Sequence, residues 1–349
     1  MKSIKILILT LPLIYFLGCD TVDSGNASGD WLVPKDQVFD GGPGRDGIPS
    51  IDNPEFTNID DASYLLDDDL VIGISEGATI KAYPHPILDW HEVVNDGANN
   101  KDFTITYCPL TGSAIMWMRN GPLSATTFGV SGLLYNSNLI PYDRETRSNW
   151  SQMRLQCVNG PLIGTEIQTG KIVETTYKTW KEMFPSSKLL STNTGFARQY
   201  GVYPYGTYKS DDELIFPVSN EDNRLPKKTR VLGLIVGNET IAFPVNNFKQ
   251  GVDIQNISFG GEKFVVAGSS DKNFAVAFKS KLSDGAELQF TAVQNELPII
   301  MVDGEGNKWD IFGRVTAGPR SGQSLDQAKA FIAYWFAWAA FYPNSLISQ

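Results

Sequence analysis

Two stretches determine the predicted fold: VIGISEGATIKAYP at residues 71–84 and VLGLIVGNETIAFP at residues 231–244. They align without gaps at a constant shift of 160 residues. In the first stretch, Glu76-Gly77 is a turn signal between two short apolar runs, which is the pattern of two strands joined tightly. The same pattern at both places indicates that one structural motif occurs twice in the chain.

The similarity continues through the rest of both segments in the same order. Residues 103–105 match residues 264–266, and residues 140–143 match residues 300–303. Trp150 aligns with Trp309, and the segment 179–185 aligns with 337–343. Several matches in one order predict an internal duplication.

Each copy is predicted to be a run of short strands followed by one helix ahead of a proline. In the second copy, SLDQ at residues 324–327 resembles a capping box, so we expect a helix over residues 325–341. The predicted fold is α+β and β-rich, with two internally duplicated units, each closed by a C-terminal helix. The connector at residues 194–230 is rich in tyrosine, and these side chains would either line a groove or pack as a strap.

The N-terminus carries the pattern of an export signal. Lys2 and Lys5 precede an apolar run at residues 6–17 that is too short to span a bilayer, and Gly18-Cys19 resembles a lipobox. An uncleaved anchor and an ordinary signal peptide are the alternatives. We expect a lipoprotein acylated at Cys19 and held by the lipid bilayer in the cell envelope, facing the periplasm or the outer surface.

These observations divide the chain into five parts. They are a lipoprotein signal peptide (1–19), a tether and strap (20–44), a first unit carrying the site (45–193), the connector (194–230) and a second, degenerate unit (231–349).

Composition excludes several classes of function. The 349 residues include 39 acidic and 29 basic residues, a net charge of −10, which argues against nucleic acid and anionic membrane surfaces as partners. There is no GxxxxGK[ST] phosphate loop and no HExxH or CxxC motif. After lipidation only Cys108 and Cys157 remain, so the chain is not a disulfide-rich scaffold, although these two residues would still be able to pair.

The reactive residues are concentrated in the first unit. Residues 82–113 contain both histidines, His85 and His91, together with Cys108, whereas the second unit has no histidine or cysteine. In the alignment His91 lies opposite Gly251, Cys108 lies opposite Ser269 or its neighbour, and Asp96 lies opposite Asn256. Any chemistry is therefore predicted to belong to the first unit.

Cys108 follows a predicted strand and precedes Pro109, where amides of the next residues would favour a thiolate. His91 would act as a base or as a metal ligand, with Asp96 nearby to orient it. We predict that Cys108 and His91 meet directly or through one ion or water, whereas His85 lies between two prolines and is less central. Further residues are predicted to support this site: Glu92, Asn95, Tyr107, Tyr135, Asn136 and Asp143.

A set of motifs runs through the first unit: IPSID at 48–52, AYP at 82–84, WHEVVND at 90–96, TYCPL at 106–110 and FGVSGLLYNS at 128–137, with Asp143 and WSQ at 150–152. In these motifs the sequence resembles a bacterial family known as domain of unknown function 3179 (DUF3179). Many members carry a second cysteine where this chain has Thr111, which argues against a dithiol site here. The resemblance implies where the site lies and implies no activity.

Three classes of function follow. The first is a cell-envelope lipoprotein that binds a soft or borderline metal ion such as copper through Cys108 and His91. The second is an enzyme with Cys108 as nucleophile and His91 as base, oriented by Asp96 or Asn95. The third is a binding or assembly module in which Cys108 and His91 are structural.

Overall fold

The computed structural model describes residues 29–348, and this part of the chain is rich in β-structure. With 41% strand and 9% helix, the β-rich class predicted from the sequence is confirmed. The predicted signal peptide, Cys19 and most of the tether lie outside the described residues. Among residues 29–348, none of the helices has the length and apolar character needed to cross a bilayer.

The first half of the described chain contains thirteen short strands and two helices. In order they are β1 (Val38–Asp40), β2 (Phe56–Asn58), β3 (Leu70–Glu76), β4 (Thr79–Pro84), α1 (His85–Leu88), β5 (Val93–Ala98), β6 (Lys101–Cys108), β7 (Ser113–Met118), β8 (Phe128–Tyr135), β9 (Asn138–Asp143), β10 (Asn149–Ser151), β11 (Gln156–Asn159), β12 (Val173–Thr176), α2 (Tyr177–Met183) and β13 (Lys188–Leu190).

The second half of the described residues contains eleven strands and one helix. They are β14 (Arg230–Val236), β15 (Glu239–Pro244), β16 (Asp253–Phe259), β17 (Glu262–Ser269), β18 (Phe274–Lys279), β19 (Phe290–Ala292), β20 (Ile299–Asp303), β21 (Lys308–Asp310), β22 (Val315–Ala317), β23 (Ala330–Tyr334), α3 (Trp335–Phe341) and β24 (Leu346–Ile347). Short 3-10 helices occupy Lys35–Gln37, Ile59–Asp61, Gly121–Leu123 and Val245–Asn247.

Each half folds into three small sheets. In the first half the strand orders are β12-β3-β4-β13-β2, β5-β6-β7 and β1-β8-β9-β10-β11. In the second half they are β23-β14-β15-β24, β16-β17-β18 and β19-β20-β21-β22. Strand β13, which follows α2, pairs in parallel with β4. Strand β24, which follows α3, pairs in parallel with β15. The helices α2 and α3 are therefore each followed by a short strand.

A glycine in each half lets a helix pack directly on the first sheet. The indole of Trp180 on α2 lies so close to Gly73 that an added Cβ would be 1.9 Å from the ring. Trp338 on α3 packs on Gly233 in the same way, at 2.1 Å. Any side chain at these two glycines would displace a buried tryptophan, because protein interiors have little free volume.

An asparagine joins the second and third sheets in each half, the buried Asn95 in the first and the exposed Asn256 in the second. The Asn95 side chain donates to the Phe128 carbonyl (2.8 Å) and accepts from the Phe128 amide (2.9 Å). Asn256 makes the same pair of hydrogen bonds with Phe290, at 2.8 and 3.0 Å. These contacts make Asn95, rather than Asp96, the counterpart of Asn256. Asn95 therefore has a structural role.

The prediction of a helix over residues 325–341 is wrong for residues 325–334. Ala330–Tyr334 is strand β23, which pairs with β14, and the helix extends only over Trp335–Phe341. The apolar run AFIAY is mostly buried, and periodicity alone does not separate a buried strand from a buried helix. The hydroxyl of Ser324 contacts its neighbour's carbonyl and Lys171 instead of capping a helix.

The connector lies across the end of the second sheet of the first half. The Tyr208 hydroxyl donates to the Leu110 carbonyl at 3.0 Å, and the Tyr203 hydroxyl donates to the Pro109 carbonyl at 3.3 Å. These two tyrosines pack over the turn that follows Cys108, so this segment serves as a strap.

Candidate functional site

Cys108 ends strand β6 and is buried, with 1% of its surface exposed. Its Sγ lies 3.6 Å from the Ser137 carbonyl. Burial raises the pKa of the Cys108 thiol to about 11; the nearby charge of Glu92 adds to this effect and contacts with Thr111 oppose it. The thiol is therefore protonated at neutral pH. The expected thiolate is wrong for this structure, because desolvation outweighs the donors of the turn.

Glu92 is the most unusual residue beside Cys108. Its backbone φ is 57°, a left-handed conformation that costs energy for a non-glycine residue. Its side chain is buried, and no hydrogen bond to its carboxylate occurs within residues 29–348. Burial alone raises the pKa of the Glu92 carboxyl to about 8. A buried acid next to a buried thiol is thus held in its neutral form at pH 7.

His91 is fully buried and uses both ring nitrogens in hydrogen bonds to other residues. Nδ1 lies 2.7 Å from the Pro49 carbonyl, and Nε2 lies 2.7 Å from the Tyr200 hydroxyl of the connector. Burial lowers the pKa of His91, and the charge of Arg198 lowers it further. The hydrogen bond to the Pro49 carbonyl raises the pKa but is outweighed. The contacts of His91 tie the connector to the first unit.

The other residues predicted to form the site are dispersed. Asp96 pairs with Lys81 at 2.8 Å and accepts from the Tyr83 hydroxyl at 2.6 Å. Asp143 accepts from Trp150 Nε1 at 3.0 Å, a contact that Asp303 and Trp309 repeat at 2.9 Å. Two further residues contact the C-terminal segment: Tyr135 packs edge-on against Phe341, and Asn136 donates to Ala340 and accepts from Ser219.

The structure therefore brings Glu92, but not Asp96, to Cys108. No hydrogen bond joins Cys108 to His91 in the described chain, and the bridging ion or water stays a prediction. Both Cys108 and Cys157 are free thiols. Over residues 29–348, no group of three or more His, Cys, Asp or Glu side chains is arranged to hold a metal ion.

A polar cavity of about 220 Å³ lies between the two units, on the other face of the strand that carries Cys108. Side chains alternate along a strand, so Tyr107 packs with the core cluster on one side while Cys108 packs with the cluster on the other. The cavity is lined by His85 and Tyr107 from the first half, by Lys209 from the connector, by Arg230 where the connector meets β14, and by Tyr334 at the end of β23.

A buried charge cluster stands behind one wall of this cavity. His85 Nε2 lies 3.2 Å from Glu174 Oε2, but neither atom has an aligned hydrogen-bond partner in the described residues. The other Glu174 oxygen accepts from Arg230, which also donates to Asn273. Burial raises the pKa of Glu174, but the charges of Arg230 and His85 outweigh it, so its pKa lies below the ordinary value. Glu174 is therefore a buried carboxylate.

A second buried carboxylate pairs with the connector. Asp89 is 4% exposed, and Lys209 donates to both of its oxygens at 3.0 and 3.3 Å. Burial raises the pKa of Asp89 even though Lys209, His85 and Tyr107 favour its charged form. The ring of His85 lies 4.2 Å from the ring of Tyr107, centroid to centroid. His85, Tyr107 and Asp89 are thus parts of one contiguous polar group.

Sequence reasoning assigned His85 a minor place and missed Glu174, Arg230, Lys209 and Tyr334. One signal for two of these residues was present in the comparison of the two halves of the chain. His85 follows Pro84 as Val245 follows Pro244, and Glu174 on β12 stands where Ile332 stands on β23. A histidine and a glutamate at positions that are apolar in the other unit are the same signal that drew attention to Cys108.

The described residues form a β-rich protein of several small sheets with a polar cavity lined by both halves of the chain. A family model described as protein of unknown function (DUF3179) matches residues 45–345, most of the chain. The chain belongs to this family. Comparisons with curated proteins and with solved structures gave no match.

Proposed function

We propose that the protein binds a small polar molecule in the cavity between its two units. The observation that carries this proposal is the cavity of about 220 Å³ itself, whose lining combines the cationic side chains of Lys209 and Arg230 with the ring of His85. Ligand pockets characteristically hold a few polar groups that converge on one space.

Two further features support a binding site. The walls come from three separated parts of the chain, and ligand pockets commonly lie at such junctions. The charged side chains are also held in place before any ligand arrives, since Glu174 fixes Arg230 and Asp89 fixes Lys209. Prearranged polar groups reduce the cost of ordering the site on binding.

Native mass spectrometry of protein purified gently from the envelope tests this function. The expected result is a small co-purifying species that His85→Ala loses and that Glu262→Gln retains. Glu262 forms an exposed pair with Lys279 far from the cavity, so it controls for general damage. Protein that carries no ligand, and gains no thermal stability from pooled amino acids, sugars, nucleosides or polyamines, would contradict the proposal.

We also propose that Cys19 anchors the protein in the cell envelope. The support is the charged start of the chain, the short apolar run and the Gly18-Cys19 pair. In this setting the cavity would meet solutes outside the cytoplasm.

A separate proposal concerns Cys108 and His91 as a copper or other metal site, or as nucleophile and base. Its support is that both residues are present in the first unit and absent from the second. Elemental analysis with thiol titration separates these roles. One equivalent of copper that Cys108→Ser abolishes supports the metal, whereas a metal-free protein with an inert thiol leaves both residues structural.

We infer that the two units derive from one duplicated unit, each with a helix near its C-terminal end. The matched sheet orders, the glycine–tryptophan pairs and the paired asparagines support this inference. Superposing residues 71–190 on 231–348 in an experimental structure tests it, because unrelated strand paths would contradict a duplication.

A further inference from the structure

We infer that the ligand of this cavity is a small zwitterion of the α-amino-acid type, with an ammonium and a carboxylate close together. The inference rests on the proposed binding function and concerns the chemical class of the ligand. It follows from how charge is distributed over the cavity walls.

One wall offers hydrogen-bond donors to an anionic group. Arg230 directs single contacts to Glu174 and Asn273, and a guanidinium has five N–H donors in all. Lys209 directs its contacts to Asp89, and an ammonium has three donors. Both side chains therefore keep donor capacity for a ligand carboxylate while their own charges are balanced by buried acids.

The same cavity also offers acceptors to a cationic group. Asp68 and Asp69 line the cavity beside Leu70, and Asp69 accepts one hydrogen bond from the Leu66 amide. Asp68 has no side-chain hydrogen bond or ion pair within residues 29–348. No lysine or arginine neutralises these two carboxylates in the described chain, so this part of the lining favours an ammonium group.

The rest of the lining makes this more than a cluster of acids at the surface. His85, which is 3% exposed, lines the same cavity as Asp68, Asp69 and Arg230. Tyr107 and Tyr334 contribute aromatic surface to this lining. A zwitterion with a modest apolar side chain matches the donors, the acceptors and the rings together.

The size of the cavity is compatible with a small ligand. A volume of about 220 Å³ corresponds to roughly seven water molecules of liquid volume. This space accommodates a single amino acid.

Ligands with a single charge fit less well. A simple carboxylate would approach Asp68 and Asp69 without a compensating cation, and like charges at short range repel. A simple amine would leave the donors of Arg230 and Lys209 unused. Only a molecule with both groups satisfies both walls.

Isothermal titration of the detergent-solubilised full chain with three matched probes tests the inference. L-leucine carries both charges, 4-methylpentanoate lacks the ammonium, and 3-methylbutylamine lacks the carboxylate. The expected result is that leucine binds at least about tenfold more tightly than either analogue. The double variant Asp68→Asn, Asp69→Asn should bring leucine close to 4-methylpentanoate, whereas Asp67→Asn, a neighbour that does not line the cavity, should leave leucine binding unchanged.

The outcomes separate this inference from the proposed function. If the amine or the carboxylate binds as tightly as leucine, the ligand is not a zwitterion, and the cavity is still a binding site. If the three probes fail but a sugar, nucleoside or polyamine binds and His85→Ala removes it, the zwitterion is again overturned alone. If nothing binds and nothing co-purifies, both the inference and the proposed function are overturned.

Discussion

Replacing Glu92 by glutamine is predicted to stabilise the protein at neutral and alkaline pH. Glutamine has nearly the same shape and cannot ionise. In the folded protein burial raises the pKa of Glu92 to about 8 from an ordinary value of 4.5. Between these two pH values the folded state holds a proton that the unfolded chain has released, so the free energy of unfolding falls as the pH rises.

The size of the effect follows from this difference in pKa. For one proton, the free energy of unfolding falls by about 1.4 kcal/mol per pH unit between the two pKa values. The fall reaches about 3 kcal/mol at pH 7 and about 5 kcal/mol above pH 8. At pH 4 Glu92 is protonated in both states and contributes no such loss. The variant should therefore match the wild type at pH 4 and exceed its stability by about 3 kcal/mol at pH 7.

Urea unfolding at pH values from 4 to 8.5 measures this prediction. The difference between variant and wild type should grow by about 1.4 kcal/mol per pH unit and then level off near pH 8. Glu262→Gln, at an exposed ion pair, is the matched control and should show no such growth. A constant difference between the Glu92 variant and the wild type across the whole range would refute the reasoning, because it would mean that Glu92 ionises normally in the folded state.

Three further predictions concern packing, reactivity and location. Gly73→Ala should lower the free energy of unfolding, measured in urea, by about 3 kcal/mol or more, because its Cβ would meet Trp180. Gly304→Ala, where the new Cβ would have open space, should lower it little. Equal losses in the two variants would contradict the packing argument. Cys108 should react with iodoacetamide at pH 8 at least about a hundredfold more slowly in the folded than in the denatured protein, as peptide mapping would show, because its thiol is buried and protonated. Cys19→Ala should release the protein from the membrane fraction, and unchanged fractionation would exclude the lipid anchor.

The sequence predicts the sheets well where two signals agree. The stretches 71–84 and 231–244 combine strand composition with a tight turn, and the structure pairs them in the same register, Val71 with Pro84 and Val231 with Pro244. The run at 330–341 offered only hydrophobicity. Whether such a run becomes strand or helix depends on the partner strand β14, which is about a hundred residues away in sequence.

The candidate site was harder to predict because its contacts join distant parts of the chain. His91 and Cys108 are close in sequence, yet His91 bonds to Pro49 and Tyr200, whereas Cys108 lies beside Glu92. Proximity in sequence did not reveal these partners. The raised pKa of Glu92 arises from burial, and the depth at which a side chain is buried depends on the assembled fold.

The cavity lies beside a position at which the two halves of the chain, alike in strand pairing, carry different residues. Glu174 on β12 occupies the position that Ile332 occupies on β23. The carboxylate of Glu174 is compensated by Arg230, the last residue of the connector and the first of β14, and a buried charge without its partner is strongly destabilising. Residues 45–193 alone would not keep this charge paired. The polar group around His85 therefore requires the full chain, and the same ion pair that couples the two units also forms a wall of the cavity.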